Sequence, residues 1–248
     1  MRILILGGST EASALARLLC GRSEIEARLS LAGRTAQPAP APVPMRIGGF
    51  GGVAGLAAYL TGEGIEAVVD ATHPFAAQMS RHAKEACSTL GIPLVAFTRA
   101  PWMPVTGDRW IEVADATAAA AALDRLARHV FLTVGRLSLP AFAAAPQHHY
   151  LIRAIDEPAG LASLPHHELV LARPPFTVDS EERTMRLAKI DIVVSKNSGG
   201  AATYAKIEAA RRLGLPVVMI RRPKPVETPA LHEPAAVLDW IARHGRAP

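Results

Sequence analysis

Short glycine-rich and polar stretches that directly follow apolar runs hold the residues of this 248-residue chain that could do chemistry. The first is Gly7-Gly8-Ser9-Thr10-Glu11, which comes after an apolar run at residues 3–6 and before an alanine- and leucine-rich stretch. Strand, tight turn and helix therefore start within a few residues of one another. Glycines let the backbone approach a phosphate closely, and the N-terminus of a helix offers it unpaired N–H groups. The stretch predicts a site for a phosphate-bearing cofactor.

This first turn departs from the dinucleotide-binding pattern G-x-G-x-x-G/A at one position. Gly7 and Ala12 fit the pattern, but Ser9 stands where the second glycine is expected. The Ser9 hydroxyl could donate to a phosphate or could cap the following helix. A capping turn without a ligand therefore stays open as an alternative at this point.

Two further stretches concern the ribose and the adenosine end of such a cofactor. Gly33-Arg34-Thr35 follows the second predicted strand, where an acidic residue would bind a ribose 2′-hydroxyl and repel a 2′-phosphate. Arg34 with Thr35 would instead pair with the 2′-phosphate, which favours NADP, although a solvated surface arginine is the alternative. Gly48 and Gly49 open a run of four glycines in residues 48–52, where the cofactor or a neighbouring loop approaches the backbone closely.

The turn at residues 70–73, which we call the third turn, combines polar and ionisable side chains. Asp70-Ala71-Thr72-His73 ends a buried-looking strand at residues 67–70 and precedes Pro74, which suits the first turn of a helix. Ligands in parallel α/β sheets bind at the carboxyl ends of the strands, so this turn is expected beside the first one. His73 could donate to a substrate, or it could cap the helix and pack.

The second half of the chain repeats the strand, turn and helix pattern with basic residues added. Thr133-Val134-Gly135-Arg136 and Ser195-Lys196-Asn197-Ser198-Gly199-Gly200 each follow an apolar run. The strand-end rule predicts both turns on one edge of a second sheet. One such turn could be plain capping, but two basic ones favour a ligand rich in carboxylates or phosphates.

Strands and helices alternate along the chain, interrupted by a proline-rich break at residues 98–110. The pattern predicts an α/β protein with two Rossmann-like three-layer domains, mostly parallel sheets and an interdomain cleft. We place the domains at residues 1–98 and 99–248. The final helix, predicted at residues 234–244, is thereby assigned to the second domain.

Composition excludes several classes of function. Half of the residues are apolar, yet no apolar run approaches the ~18 residues of a membrane span, so a cytoplasmic protein without a membrane partner is expected. Aromatic residues make up only 5% of the chain, which is thin for stacking nucleobases, so the charge of +5 does not indicate nucleic acid. Cys20 and Cys87 are predicted to be buried free thiols, and no metal site is predicted.

Four of these turns, at residues 7–11, 70–76, 133–136 and 195–200, resemble in order and spacing those of the precorrin-6A reductases of cobalamin biosynthesis. The resemblance covers nearly the whole chain, and the stretches at residues 70–76 and 196–200 are its most specific parts. It implies an NADPH-dependent enzyme that reduces one carbon–carbon double bond of the precorrin-6A macrocycle to give precorrin-6B. The family's own form of the first turn has Thr or Ser at the position of Ser9, so that departure fits.

The resemblance also implies roles for the turns. The first domain would bind NADPH: Gly7, Gly8, Ser9, Thr10 and Glu11 at the pyrophosphate, Arg34 and Thr35 at the 2′-phosphate, Gly48 and Gly49 near the ribose, and Asp70, Ala71, Thr72 and His73 close to the nicotinamide. Precorrin-6A carries acetate and propionate groups, which the second domain would bind through Arg136, Lys196, Asn197, Ser198, Gly199 and Gly200. Neighbouring pathway enzymes are further partners that it allows.

The source of the proton in such a reduction stays open. His73 and Tyr204 are candidates by residue type and position, while water or the acidity of the macrocycle could serve instead. Two rival functions also remain: another NADP-dependent reductase of an acidic substrate, and a non-catalytic protein that senses NADP. No Tyr-x-x-x-Lys pair is present, which argues against a short-chain dehydrogenase.

Overall fold

The computed structural model describes residues 1–33, 35 and 38–244. The described strands are β1 (Arg2–Leu6), β2 (Glu26–Leu31), β3 (Met45–Ile47), β4 (Ala67–Asp70), β5 (Leu94–Phe97), β6 (Trp110–Val113), β7 (His129–Thr133), β8 (His149–Ala154), β9 (His167–Leu171), β10 (Ile192–Lys196), β11 (Val217–Ile220) and β12 (Ala230–Leu231). The described α-helices are α1 (Thr10–Leu19), α2 (Val53–Gly62), α3 (Ala77–Leu90), α4 (Ala116–Ala121), α5 (Val178–Leu187), α6 (Ala205–Arg212) and α7 (Pro234–His244). The described residues also form two 3-10 helices, at Arg136–Ala144 and Leu161–Ser163.

The chain folds into two compact units, each built on one six-stranded sheet. The first unit contains residues 1–100 and the chain from residue 224 onwards, and its strands lie in the order β12-β5-β4-β1-β2-β3. The second unit contains residues 101–223, with the order β6-β11-β10-β7-β8-β9. Every strand pair in both sheets is parallel. The expected pair of α/β domains with parallel sheets is confirmed.

β1 shows why its apolar run does not alternate with polar residues. Ile3 and Ile5 belong to the core beneath α1 and α7, whereas Leu4 and Leu6 belong to the core beneath α2 and α3. All four side chains are at most 2% exposed. A strand covered by helices on both faces is apolar at every position. The sheet with its helices on either face forms the three layers of the unit.

The C-terminal segment belongs to the first unit, which corrects the predicted boundary at residues 99–248. β12 pairs with β5, and the Ala96 N–H donates to the carbonyl of Pro229 at 2.8 Å. Val237 and Ile241 of α7 are 0% and 1% exposed in the same core as Ile3. The error arose because the apolar stripe of a helix shows that it packs, but not against which sheet.

The second unit places its two longest described α-helices on one face. Met185 of α5 and Ile207, Ala209 and Ala210 of α6 form one core with Phe131 of β7. The helix that follows β6, α4, ends at Ala121. Asp124 adopts a φ of 61°, a left-handed conformation that cannot continue a helix.

Two smaller findings concern the thiols and the membrane. Cys87 is buried as predicted, but Cys20 is exposed because it follows the last turn of α1 rather than lying on its buried stripe. Within the described residues, none of the helices has the length and apolar character that crossing a bilayer requires.

Candidate functional site

The turns that follow β1 to β4 share one edge of the first sheet. Leu6 of β1 is in register with Ser30 of β2 and with Asp70 of β4, and Leu31 of β2 is in register with Ile47 of β3. Because all these strands are parallel, their carboxyl ends meet at the same edge. The sequence prediction that the first and third turns lie side by side is therefore confirmed.

The two glycines of the first turn have separate requirements. The N–H of Gly7 donates to the carbonyl of Ser30 at 2.8 Å, and a Cβ at Gly7 would lie 2.6 Å from Cδ1 of Leu29. Gly8 has a φ of +118°, a conformation that residues with side chains rarely adopt. Gly7 therefore packs directly against β2, and Gly8 exposes backbone without a side chain.

Ser9 resolves the choice that its sequence position left open. Its Oγ accepts from the N–H of Ala12 at 3.2 Å and donates to the carbonyl of Ala71 at 2.6 Å. The hydroxyl has a single proton, so in this arrangement the side chain caps α1 and joins the first turn to the third. The hydroxyl proton of Ser9 is therefore used within the protein and is not offered to a phosphate.

Glu11 forms a half-buried ion pair with Arg99, which lies just beyond β5 in the same unit. The Thr10 hydroxyl donates to Oε2 of Glu11 at 3.1 Å. Burial raises the pKa of Glu11, but a backbone hydrogen bond and the charge of Arg99 outweigh it, and the net pKa lies below 4.5. The carboxylate is therefore ionised and compensated, so it does not present an unpaired negative charge at the helix N-terminus.

The third turn is held by its own polar side chains. Oδ1 of Asp70 accepts from the N–H and the hydroxyl of Thr72, at 3.1 and 2.7 Å. Nδ1 of His73 accepts from the N–H of Phe75 at 3.3 Å, which places the proton of the neutral imidazole on Nε2. Asp70 is 8% exposed and orients the turn, while His73 is half-buried at the same edge.

Arg46, which sequence reasoning passed over, holds the glycine-rich loop. Its Nη1 donates to Oγ of Ser30 and to the carbonyl of Gly48, both at 2.9 Å, and its Nη2 donates to the carbonyl of Gly49 at 3.1 Å. Its guanidinium also lies 4.0 Å from the centre of the Phe50 ring. A lone arginine between the apolar residues of β3 was the available signal.

The expected 2′-phosphate residues are described in part. Arg34 lies outside the described residues. Thr35 is described and is half-buried. It follows Gly33, whose φ of +69° turns the chain after β2.

The second sheet brings the two basic turns to one edge. Thr133 at the end of β7 is in register with Ser195 of β10, and its hydroxyl donates to the carbonyl of Val194 at 2.9 Å. Arg136 begins a 3-10 helix directly after β7, and its side chain is exposed. Lys196 is the last residue of β10 and is half-buried. The predicted common edge is confirmed.

Asn197 uses its amide inside the protein. Its Oδ1 accepts from the N–H of Trp102 at 2.8 Å, and its Nδ2 donates to the Trp102 carbonyl at 2.9 Å. The indole N–H of Trp102 donates to the carbonyl of Gly200 at 2.8 Å. The turn at residues 195–200 is therefore joined to the segment before β6, a connection with no local sequence signal.

Arg222 holds the same turn from the other side. It follows β11 and donates from Nε to the carbonyl of Asn197 and from Nη2 to that of Ser198, both at 2.9 Å. Gly199 and Gly200 have φ of 67° and 72°, so both positions favour glycine. The turn is thus a rigid, glycine-dependent element with backbone groups at the sheet edge.

Tyr204 lies at the start of α6 in the second unit. Its hydroxyl accepts from Nη2 of Arg211 at 2.6 Å, and its ring is 5.6 Å from that of Trp102. Asp108 binds Nε of the same arginine at 2.8 Å. Hydrogen bonding to Asp108 is the main cause that raises the pKa of Arg211, which stays a cation beside the phenol.

Two parallel sheets with glycine turns at their carboxyl edges define an α/β protein of the Rossmann-like class. Comparison with known proteins identifies its family. A family model described as precorrin-6x reductase CbiJ/CobK matches residues 2–242. The chain belongs to this reductase family, and it is an oxidoreductase.

Individual members of the family are similar to this chain over nearly its full length. A precorrin-6A reductase from Rhodobacter capsulatus is 51% identical over 247 residues, which cover 100% of this chain and 98% of the relative. One from Mycobacterium tuberculosis is 44% identical, covering 97% of both chains. A solved structure of CobK precorrin-6A reductase superimposes with a TM-score of 0.94 at 51% identity, covering 100% of this chain and 98% of the other.

Proposed function

We propose that the protein reduces one carbon–carbon double bond of precorrin-6A to give precorrin-6B in cobalamin biosynthesis, with NADPH as the hydride donor. The observation that carries the proposal is the full-length match, at 51% identity and a TM-score of 0.94, to a protein named as a precorrin-6A reductase.

The first sheet edge fits a dinucleotide. The close approach of Gly7 to the leucine side chains of β2 and the positive φ of Gly8 bring bare backbone to the N-terminus of α1, which suits a pyrophosphate. Glu11 would repel a phosphate if it were unpaired, but Arg99 compensates it. Gly48 and Gly49, held by Arg46, would meet the ribose.

We assign Arg34 and Thr35 to the 2′-phosphate and the turn at residues 70–73 to the nicotinamide. When bound, NADPH supplies the hydride for the macrocycle. The residues of the chain orient the reactants, bringing donor and acceptor carbons to roughly 3 to 3.5 Å, and exclude water from them. The hydrogen bonds of Asp70 to Thr72 keep the third turn in one conformation for that task.

The second sheet edge would bind the acetate and propionate groups of the substrate. Arg136 is exposed there, and Lys196 and the turn at residues 198–200 lie on the same edge. Charged donors form the strongest hydrogen bonds to carboxylates. Asn197 contributes indirectly, because its amide holds the turn against Trp102.

The relatives favour the metal-free substrate over its cobalt complex. Relatives named precorrin-6A reductase share 44% to 51% identity with this chain. Those named cobalt-precorrin-6A reductase share 27% in Priestia megaterium and 24% in Salmonella typhimurium. We therefore expect a higher kcat/KM for metal-free precorrin-6A than for its cobalt complex, measured with both substrates under one set of conditions.

The decisive experiment mixes the purified protein with NADPH and precorrin-6A. The proposal expects oxidation of NADPH together with a product that has gained two hydrogens by mass spectrometry. Binding of NADPH without oxidation would instead point to a different acidic substrate or to a sensing role. In that case, NADPH oxidation with another acidic compound would identify a reductase of a different substrate, whereas a sensing protein would oxidise NADPH with none.

His73 and Tyr204 are the candidate proton donors, and each can be tested by itself. Nε2 of His73 carries the proton of the neutral ring, whereas the phenol of Tyr204 is bound by Arg211. We expect His73→Ala or Tyr204→Phe to slow a single turnover if that group donates. Near-normal rates for both would leave water or the macrocycle as the source.

A further inference from the structure

We propose that an open pocket in the second unit, walled by Trp102, Phe176 and Tyr204, receives one edge of the tetrapyrrole substrate with its carboxylate groups. The inference rests on the proposed function and adds a place for the macrocycle beyond the basic turns. The pocket has a volume of about 560 Å³. That is within the range of small-molecule sites and suits part of a large ligand.

The pocket lies at the ligand-binding edge of the second sheet. Gly200, the last residue of the turn after β10, lines it, and so does Thr177, the N-cap of α5. It is therefore continuous with the turn at residues 195–200, which we assign to substrate carboxylates. A ligand held by that turn would reach the pocket without crossing the sheet.

Two of its aromatic walls, Trp102 and Tyr204, are held by hydrogen bonds. The Trp102 backbone and indole make three hydrogen bonds to Asn197 and Gly200, between 2.8 and 2.9 Å. The Tyr204 ring contacts Trp102, and its hydroxyl is held by Arg211. Aromatic surfaces that are fixed before binding suit a flat conjugated ligand, because little side-chain freedom is lost when it docks.

Buried positive charge lies behind these walls. The guanidinium of Arg153 is 3.8 Å from the centre of the Phe176 ring, and Nζ of Lys206 is 5.2 Å from that of Trp102. Both side chains are largely buried, and the buried carboxylate of Glu181, which is 2% exposed, pairs with Arg153.

This cluster holds more positive than negative charge whenever Lys206 is protonated. Glu208 also lines the pocket, but Arg212 binds its carboxylate at 2.6 Å. Such an excess attracts anions, and the solvent in the open pocket screens part of this attraction. The walls are therefore complementary to a conjugated ring that carries carboxylates.

Met103 offers a test that does not disturb the fold, because it lines the pocket and is 71% exposed. Met103→Glu places a negative charge where the substrate carboxylates would lie. Leu187→Glu is the matched control, since Leu187 is 74% exposed at the end of α5 and does not line the pocket. Phe176→Leu is a second variant that keeps an apolar side chain but removes the ring.

The measurements are the Kd for precorrin-6A from absorbance titration, the Kd for NADPH, and the separate kcat and KM values. We expect Met103→Glu to raise the Kd and KM for precorrin-6A about tenfold or more, with the Kd for NADPH unchanged, because like charges meet in the bound state. Phe176→Leu should raise the Kd for precorrin-6A several-fold. Leu187→Glu should behave as the wild type.

The outcomes separate this inference from the proposed function. A wild-type protein that oxidises NADPH with precorrin-6A, together with wild-type binding by both pocket variants, would overturn the pocket and leave the function standing. Equal weakening by Met103→Glu and Leu187→Glu would also overturn it, since the effect would then be general repulsion. A wild type that neither binds nor reduces precorrin-6A would instead remove the proposed function.

Discussion

The hydroxyl of Ser9 donates to the carbonyl of Ala71 at 2.6 Å and thereby joins the turn after β1 to the turn after β4. The same oxygen caps α1 through the N–H of Ala12. One side chain thus sets the positions of two turns, of which we assign the first to the pyrophosphate of NADPH and the other to its nicotinamide. This coupling has consequences for both stability and binding.

Replacing Ser9 by alanine should lower the free energy of unfolding by about 1 to 3 kcal/mol, because a helix cap is lost and a carbonyl loses its partner. The Kd for NADPH should rise as well, since the two turns are no longer held together. Urea unfolding and NADPH titration measure the two effects. Ser13→Ala, an exposed change in the same helix, should alter stability by no more than about 0.5 kcal/mol; equal losses in both variants would contradict the role given to Ser9.

Arg34→Ala should weaken NADPH binding by roughly 10- to 100-fold and leave NADH binding unchanged, because only NADPH carries the phosphate that the guanidinium would bind. Titrations of the wild type and the variant with both cofactors give the ratio. Arg81→Ala removes an exposed arginine of α3 and should preserve the ratio. An unchanged ratio in Arg34→Ala would move the 2′-phosphate site elsewhere.

His148 should make the protein less stable in mild acid. Its side chain is 0% exposed, and Nδ1 accepts from the N–H of Arg128 at 3.2 Å. Burial is the main cause that lowers the pKa of His148 below 6.5. The unfolded chain therefore binds the proton first, and stability falls as the pH drops below about 6.5, by up to about 1.4 kcal/mol per pH unit.

Thermal or urea unfolding between pH 7 and pH 5 measures this loss. His148→Gln should show a smaller decline than the wild type. His166→Gln, at an exposed position, should decline as the wild type does. Parallel declines in all three proteins would contradict the assignment to His148.

Lys206 should act in the opposite pH range. Burial and, next, the charge of Arg153 lower its pKa to about 7 although Glu181 opposes them, whereas an unfolded lysine keeps its proton to about pH 10.5. Between pH 7 and pH 9 the unfolded chain therefore binds more protons, and stability rises with pH.

Lys206→Met should remove that rise, while Lys224→Met, at an exposed position, should keep it. The difference in the free energy of unfolding between the two variants should grow by up to about 1.4 kcal/mol per pH unit. Urea unfolding measures it. A rise of equal size in Lys206→Met would show that another group causes it.

Much of the fold could be read from the sequence because its signals are local. The apolar runs of β1, β4 and β10 end at glycine or polar turns, and parallel strands bring such turns to one edge whatever the order of the strands. The short strand β12 was missed, since two residues carry no periodicity.

The partners of individual side chains were not readable in this way. Ser9 could have donated to a phosphate or to the protein, and only its approach to Ala71 decided between them. Asn197 was expected at the substrate, yet its amide binds Trp102, 95 residues earlier in the chain. Such contacts depend on which distant segments pack together.

The sequence by itself determined the class of the fold and the places of the four turns, because glycine conformations, caps and apolar runs act over a few residues. The tertiary structure decided where α7 packs, which donors are used internally, and that Arg153, Glu181 and Lys206 gather behind aromatic walls. Burial and charge compensation join residues far apart in the chain, and no local pattern records them.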